Sequence, residues 1–244
     1  MSKSPYLIIL GIWISSACTT ASNENKTSGK LQGLHKFYYP EGQLYLEINY
    51  KDSLPHGTFK QYFKSGKLFE ESQYQNGQPH GLSRKFHDNG ALSSETPYDQ
   101  GRIHGVQRKF RKDGTKAFEA EYYYDNPCAG LKEYYTSGNP VANYPKIVIT
   151  PKNDLLRENR YTLNISLSDN SKSVEYFQGT LTDGRYIGRD ARPIYAEHGI
   201  GKLFYTLPPG AFVTEKLNII AKVKTDLNNI YITQTSYNLA AENR

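Results

Sequence analysis

Four glycines, Gly33, Gly57, Gly81 and Gly105, stand 24 residues apart, and each opens a copy of the same short phrase. The second copy reads GTFKQYFKSGKLFEESQYQNGQPH and the third GLSRKFHDNGALSSETPYDQGRIH. A fixed period of this length is the mark of a repeat array, in which each copy is one supersecondary unit that stacks on its neighbours. Arrays of this kind are mostly binding surfaces and scaffolds, so the period bears on function as well as on fold.

Counting each copy from its glycine, position 6 is aromatic (Tyr38, Tyr62, Phe86, Phe110) and position 10 is glycine (Gly42, Gly66, Gly90, Gly114). Position 12 is Leu44, Leu68, Leu92 and then Lys116. Position 15 is Glu47, Glu71, Glu95, Glu119, and position 18 is Tyr50, Tyr74, Tyr98, Tyr122. A partial fifth copy starts at Gly130, with Tyr135 and Gly138, and runs into Asn139-Pro140.

Each copy reads as a β-hairpin. A first strand runs into PEG, KSG, DNG or KDG and a second strand follows. Glycine as the third loop residue fits a type I turn closed by a left-handed residue, the three-residue hairpin. That register sets position 6 opposite position 12, an aromatic against a leucine. Under period-two alternation, positions 6, 12 and 18 would then share one face. A two-residue loop would instead set the cation of position 4 (Lys36, Lys60, Arg84, Arg108) opposite the glutamate of position 15. Apolar pairing decides register where a face is buried, which favours the first arrangement. A second turn, Asn76-Gly77 and Gln100-Gly101, joins one hairpin to the next.

The pattern Gly-x-x-[KR]-x-[YF]-x-x-x-Gly-x-Leu-x-x-Glu-x-x-Tyr, closing on Pro-His-Gly or Ile-His-Gly, resembles the bacterial variant of the MORN repeat over residues 33–144. The resemblance implies a single-layer, twisted antiparallel sheet of successive hairpins. Proteins built from this variant are often labelled as antitoxins of toxin–antitoxin systems.

His56, His80 and His104 each occupy the last position of a copy. Equivalent positions lie two strands apart, about 9.5 Å, whereas the ligands of one metal each sit about 2 Å from it. No metal site is expected, and the histidines are expected to bond neighbouring backbone at the turns. The glutamates of position 15 read as structural. The aromatics of positions 6 and 18 (Tyr38, Tyr62, Phe86, Phe110, Tyr50, Tyr74, Tyr98, Tyr122) form the candidate binding face. They either engage a peptide or glycan, as exposed apolar strips do, or pack against the C-terminal domain.

Residues 145–244 change character, with fewer glycines and alternating β-branched residues. Strands are expected over 146–150, 160–167, 173–181, 201–207, 216–224 and 229–239, with a Pro-Lys-Asn-Asp turn after the first and a hairpin across 225–228. Short strands at regular spacing with no helical period predict an immunoglobulin-like β-sandwich. The fold class is therefore all-β, a repeat sheet followed by a sandwich. The stretch from Asp190 to Gly199 reads as the longest irregular segment. Its Glu197-His198 pair is no acid–base couple, because adjacent residues of an extended chain point to opposite faces. No nucleophile elbow, phosphate loop, zinc-helix or Ser-x-x-Lys motif is present. No enzyme activity and no cofactor are expected.

The N-terminus carries a different message. Lys3 precedes an apolar run from Leu7 to Ile14, and Ser15, Ser16 and Ala17 lead to Cys18. Basic start, short apolar core and small residues at a cut make a secretory signal, and the run is too short to cross a bilayer. A cysteine directly after small residues resembles a bacterial lipoprotein box. The resemblance implies a signal peptide of residues 1–17, lipid on Cys18 and a membrane anchor in the cell envelope, with residues 18–32 as a flexible polar tether. Cys128 is the only other cysteine, so a lipidated Cys18 leaves no internal disulfide.

The formal charge of +6 is spread along the chain among acids, whereas a nucleic-acid protein gathers its cations on one face. Nucleic acid is not an expected partner. Tyrosine is abundant, 21 of 244 residues, and suits strands whose faces are half wet. Taken together, these features describe an exported, non-enzymatic scaffold binding a protein or surface polymer. The alternative is an antitoxin or immunity protein that neutralises a toxin by contact.

Overall fold

A computed structural model of the chain describes residues 26–27 and 29–244. The signal peptide, Cys18 and the first part of the tether lie outside the described residues. The chain divides into two compact units. One holds the described residues up to Asp125 with Thr136–Gly138, and the other holds Asn126–Tyr135 with Asn139–Arg244.

The first unit begins with a two-residue ladder, β1 (Lys26–Thr27) against β2 (Lys30–Leu31). Then come β3 (Gly33–Tyr38), β4 (Leu44–Lys51), β5 (Leu54–Tyr62), β6 (Leu68–Gln75), β7 (Gln78–Phe86), β8 (Leu92–Asp99), β9 (Arg102–Ile103), β10 (Gly105–Phe110) and β11 (Lys116–Tyr123). Each pairs antiparallel with the next in sequence order, except that β9 and β10 both pair with β8. The result is the all-β sheet of successive hairpins that the period implies.

Every hairpin turn closes alike. Tyr39 N donates to Gln43 O at 2.8 Å and Gly42 N to Tyr39 O at 2.9 Å, and the same two bonds recur at 63–67, 87–91 and 111–115. The loop glycines have φ between 80° and 91°. This is the three-residue hairpin expected from the sequence. The partial fifth copy closes in the same way, Tyr135 N to Asn139 O at 2.9 Å. That turn places the copy in phase with Ala129 rather than Gly130.

The connecting turns have both central residues in the left-handed region: Asp52 and Ser53, Asn76 and Gly77, Gln100 and Gly101, Tyr124 and Asp125. These are type I′ turns, whose twist matches that of the flanking strands. They also stack. Ser53 N donates to Leu31 O, Gly77 N to Pro55 O, Gly101 N to Pro79 O and Asp125 N to Ile103 O, at 2.8–3.0 Å. The β1–β2 ladder has the same geometry one period earlier, since Lys26↔Leu31 and Thr27↔Lys30 correspond to Tyr50↔Pro55 and Lys51↔Leu54. The described end of the segment expected to be a flexible tether is therefore paired in the register of the repeat.

The second unit contains β12 (Asn126–Pro127), β13 (Lys132–Glu133), β14 (Ile147–Asp154), α1 (Leu155–Glu158), β15 (Arg160–Leu167), β16 (Val174–Gln178), β17 (Arg192–Ile194), β18 (Ala196–Glu197), β19 (Ile200–Thr206), β20 (Phe212–Lys224) and β21 (Ile230–Glu242). Two four-stranded antiparallel sheets form, in the orders β14-β15-β19-β18 and β17-β16-β20-β21. Alternate residues of both face inward: Leu163, Ile165 and Leu167 from one, Tyr176, Leu217, Ile219, Ala221, Val223 and Leu239 from the other. This is the sandwich expected from alternation.

Two local expectations are corrected, and one buried carboxylate is added. The strand from 146 does not turn at Pro151 but continues to Asp154, then makes a single helical turn; β14 is an edge strand, where a missing N–H is tolerated. Asp190–Gly199 is not one irregular loop, since it holds β17, β18 and a tight turn at His198-Gly199, with φ of 51° and 83°. Glu133 is buried, and its carboxylate accepts from Thr225 Oγ1 at 2.7 Å and Asn229 Nδ2 at 2.6 Å, bracing the β20–β21 turn.

The turns set a pair of opposite stability changes. In Gly90→Ala the new Cβ meets nothing within 4 Å, so the loss of about 1–2 kcal/mol reports the left-handed backbone alone. Gln100 sits at φ 48° where a neighbouring turn has Asn76. Gln100→Asn is expected to gain ~0.5 kcal/mol, because Asn is several-fold enriched there. Chemical denaturation of the two variants measures both.

Candidate binding face

The register of the hairpins decides which side chains share a face. In the first copy Gly33 pairs with Tyr50, His35 with Ile48, Lys36 with Glu47 and Phe37 with Leu46, and then the register shifts so that Tyr38 meets Leu44. Tyr45 is the extra residue of a β-bulge. The same shift recurs in the other three copies, with Phe69, Ser93 and Ala117 left over. A bulge puts two residues of one strand against one of its partner and re-aims the side chains beyond it. Both registers weighed from the sequence are thereby realised at once: position 6 opposite position 12, and position 4 opposite position 15.

The consequence corrects the expected face. Positions 3, 5, 14, 16 and 18 lie on one side of the sheet, and positions 2, 4, 6, 15 and 17 on the other. The candidate aromatics are divided. Tyr50, Tyr74, Tyr98 and Tyr122 belong to the first side, and Tyr38, Tyr62, Phe86 and Phe110 to the second. All eight are half-buried.

On the tyrosine side, Tyr50 meets His35 edge-on at 5.3 Å between ring centroids, and Tyr74 lies 5.5 Å from Phe59. Burial pushes the hydroxyls of Tyr50, Tyr74 and Tyr122 upward in pKa. The floor beside them is small or apolar and buried: Ile48, Ser72, Thr96 and Ala120 at position 16, with Ser83 at position 3. Ser72 and Ser83 hydroxyls are 2.9 Å apart, and Glu70 Oε1 accepts from them at 2.8 and 3.2 Å. Glu70 Oε2 lies 3.3 Å from Lys85 Nζ. This hydroxyl floor escaped the sequence reading; stepping back by two from each position-18 tyrosine would have found it.

The other side is a charge ladder. Lys36, Glu47, Lys60, Glu71, Arg84, Glu95, Arg108 and Glu119 alternate in sign over eight strands. Within hairpins the ion pairs are Lys36–Glu47 at 2.8 Å, Lys60–Glu71 at 3.6 Å, Arg84–Glu95 at 3.1 Å and Arg108–Glu119 at 3.4 Å. Between hairpins Glu47 stands opposite Lys60, Glu71 opposite Arg84, and Arg108 Nη1 is 3.9 Å from Glu95. Tyr62 joins the ladder by donating its hydroxyl to Glu47 Oε2 at 2.8 Å. The Lys36 and Tyr62 bonds hold the Glu47 carboxyl below its ordinary pKa. Burial, reinforced by Glu47, pushes Tyr62 up to about 12.

The histidines do not form the expected backbone ladder. Nδ1 of His56 and of His104 is buried with no hydrogen-bond partner. The His104 ring instead packs 4.4 Å from Tyr124 and 5.3 Å from Tyr123, while His80 Nδ1 sits 3.6 Å from Asp99. Among the described residues no group of three or more His, Cys, Asp or Glu is placed to hold a metal ion. Glu197 and His198 are 3.9 Å apart and both exposed. Cys128 is buried.

Residues 31–52, 55–76 and 79–100 match the family model described as "MORN repeat variant". These are MORN-variant repeats. The fourth hairpin, β10 and β11, continues the same register beyond the matched residues. No curated protein matches the chain. Among solved structures, one titled "Crystal Structure of TarM" aligns at 16% identity over 51% of this chain and 23% of its own, with a TM-score of 0.33. The chain thus spans under a quarter of that protein, and so low a score carries no argument here.

The ladder predicts acid and alkaline limits. Glu47 has a depressed folded pKa, so the stability it contributes is present above the ordinary carboxylate range and lost as pH falls below it. Tyr62 is raised, so its contribution holds below pH 10 and is lost as pH rises toward about 12. Glu47→Gln is expected to flatten the acid limb of a stability–pH profile and Tyr62→Phe the alkaline limb. Glu71→Lys, which sets three cations in a row, is expected to cost about 1–2 kcal/mol in denaturant unfolding, the sum of two pairs lost and two repulsions gained.

Proposed function

We propose that this protein is a non-enzymatic lipoprotein of the bacterial cell envelope whose repeat sheet is a binding scaffold for a protein or surface polymer. The observation that carries the reading is the two-sided chemistry of the repeat sheet. One side carries the alternating ladder of ion pairs, as a structural brace would, with Leu34, Leu82 and Val106 exposed along it. The other carries a tyrosine at every repeat above a floor of small or apolar side chains, and tyrosine supplies large contact area at low conformational cost. The reading takes Tyr50, Tyr74, Tyr98 and Tyr122 as the contact row. Successive members are two strands apart, about 9.5 Å, a spacing suited to an extended ligand laid across the strands. The lipobox-like Cys18 supplies the anchor, and the described residues contain no helix long and apolar enough to cross a membrane.

Two measurements test this. In a bacterial host, the full chain is expected in the membrane fraction with lipid mass on Cys18, and Cys18→Ala is expected to lose both. A soluble cytoplasmic protein with its N-terminus intact overturns the envelope assignment and makes neutralisation of a toxin the reading to pursue. Photo-crosslinking residues placed at Tyr74 and Tyr98 in the anchored protein are expected to capture a cell-envelope component, whereas the same residue at Leu82 on the ladder side is not. Equal capture from both sides, or none from the tyrosines, removes the contact row.

A further inference from the structure

The second unit ends in a strand that natural sheets rarely leave as it is. β21 pairs with β20 over all 13 of its residues, with no register shift. Its place at the end of its sheet leaves the other side of β21 without a strand among the described residues. Edge strands are normally guarded by lysine, proline, a bulge or extreme shortness. The other edges of the two sheets are guarded: β14 carries Pro151, Lys152 and Asp154, β17 has three residues including Arg192 and Pro193, and β18 has two. β21, reading IYITQTSYNLAAE, has no lysine, arginine or proline, and its single charge is Glu242 at the end.

The hydrogen-bond phase of this edge follows from its two ends. Thr225 N donates to Asn229 O, and Asn243 N donates to Ala211 O, both at 2.9 Å. With the register unbroken between them, odd-numbered residues of β21 direct N–H and C=O to β20, and even-numbered residues direct theirs outward. Gln234, Ser236, Asn238 and Ala240 therefore present free backbone groups, and their side chains are exposed. Gln234 Oε1 accepts from Leu181 N at 3.4 Å; the backbone edge is left open.

We propose that this edge pairs antiparallel with the same edge of a second copy, about a two-fold axis through Ser236, making one continuous eight-stranded sheet from two four-stranded ones. The partner is inferred from self-complementarity. The axis sets Gln234 opposite Asn238 twice, amide against amide, with Ser236 opposite Ser236, Thr235 opposite Tyr237 and Thr233 opposite Leu239. No charge meets a like charge, which would oppose the pairing. An isologous contact of this kind closes at two copies and leaves no growing end at β21.

Analytical ultracentrifugation of the full chain in detergent tests it. Wild type is expected as a dimer. Ser236→Pro removes an outward N–H and no β20 bond, and is expected to sediment at half the mass with an unchanged circular dichroism spectrum. Ser236→Lys keeps the backbone and sets two cations on the axis, so it is expected to be monomeric as well, as is Ser236→Glu. Mixing the Lys and Glu variants is expected to restore the dimer. Monomeric wild type, a dimer that survives Ser236→Lys, or no recovery on mixing overturns the proposal.

Discussion

Each strand of the repeat hairpins places one charge of the ladder against the opposite charge of the next, eight in a row from Lys36 to Glu119. Exposed ion pairs are individually weak, so the ladder is best understood as a register device. A one-residue slip would turn every charge to the other face and set it beside a tyrosine or a buried serine. Tolerance for such a slip is low, because positions 4 and 15 recur in every copy with opposite sign. The bulge at position 13 completes the arrangement. It lets the apolar pair of positions 6 and 12 form near the turn while the ion pair forms two steps away. Without that extra residue, only one of the two pairings would be available.

From this division the two sides acquire different chemistry. The ladder side spends its polar groups on itself, and Tyr62 shows the extreme case, its hydroxyl bound to a ladder carboxylate. The tyrosine side has buried hydroxyls beneath half-buried rings. That contrast, and the stacking of connecting turns by backbone bonds every 24 residues, gives a surface with a regular pitch.

Much of this was legible in the sequence because glycine and turn chemistry are local. Gly42 and its equivalents announced the three-residue turn, Asn76-Gly77 announced the connecting turn, and alternation in residues 160–167 and 216–224 announced the sandwich. The error about the aromatic face had one cause. Period-two counting from position 6 to position 18 assumes an unbroken strand, and a bulge at Tyr45, Phe69, Ser93 or Ala117 has no residue signature of its own. Pro151 was read as a turn because its place on an edge strand is a tertiary fact. Asp190–Gly199 looked irregular because β17 and β18 are too short to show a period. The histidines were assigned hydrogen bonds that a local reading cannot check; His104 packs on Tyr123 and Tyr124 instead.

The division of the aromatics between two faces is the claim from which the functional reading follows. Nuclear Overhauser contacts between side chains test it most directly. The account predicts contacts of the Tyr62 ring with Glu47, and of the Phe59 ring with Tyr74. Contact of the Tyr74 ring with the Thr58 methyl and none with Phe59 would put Tyr74 on the face of the ladder, remove the bulge and contradict the account.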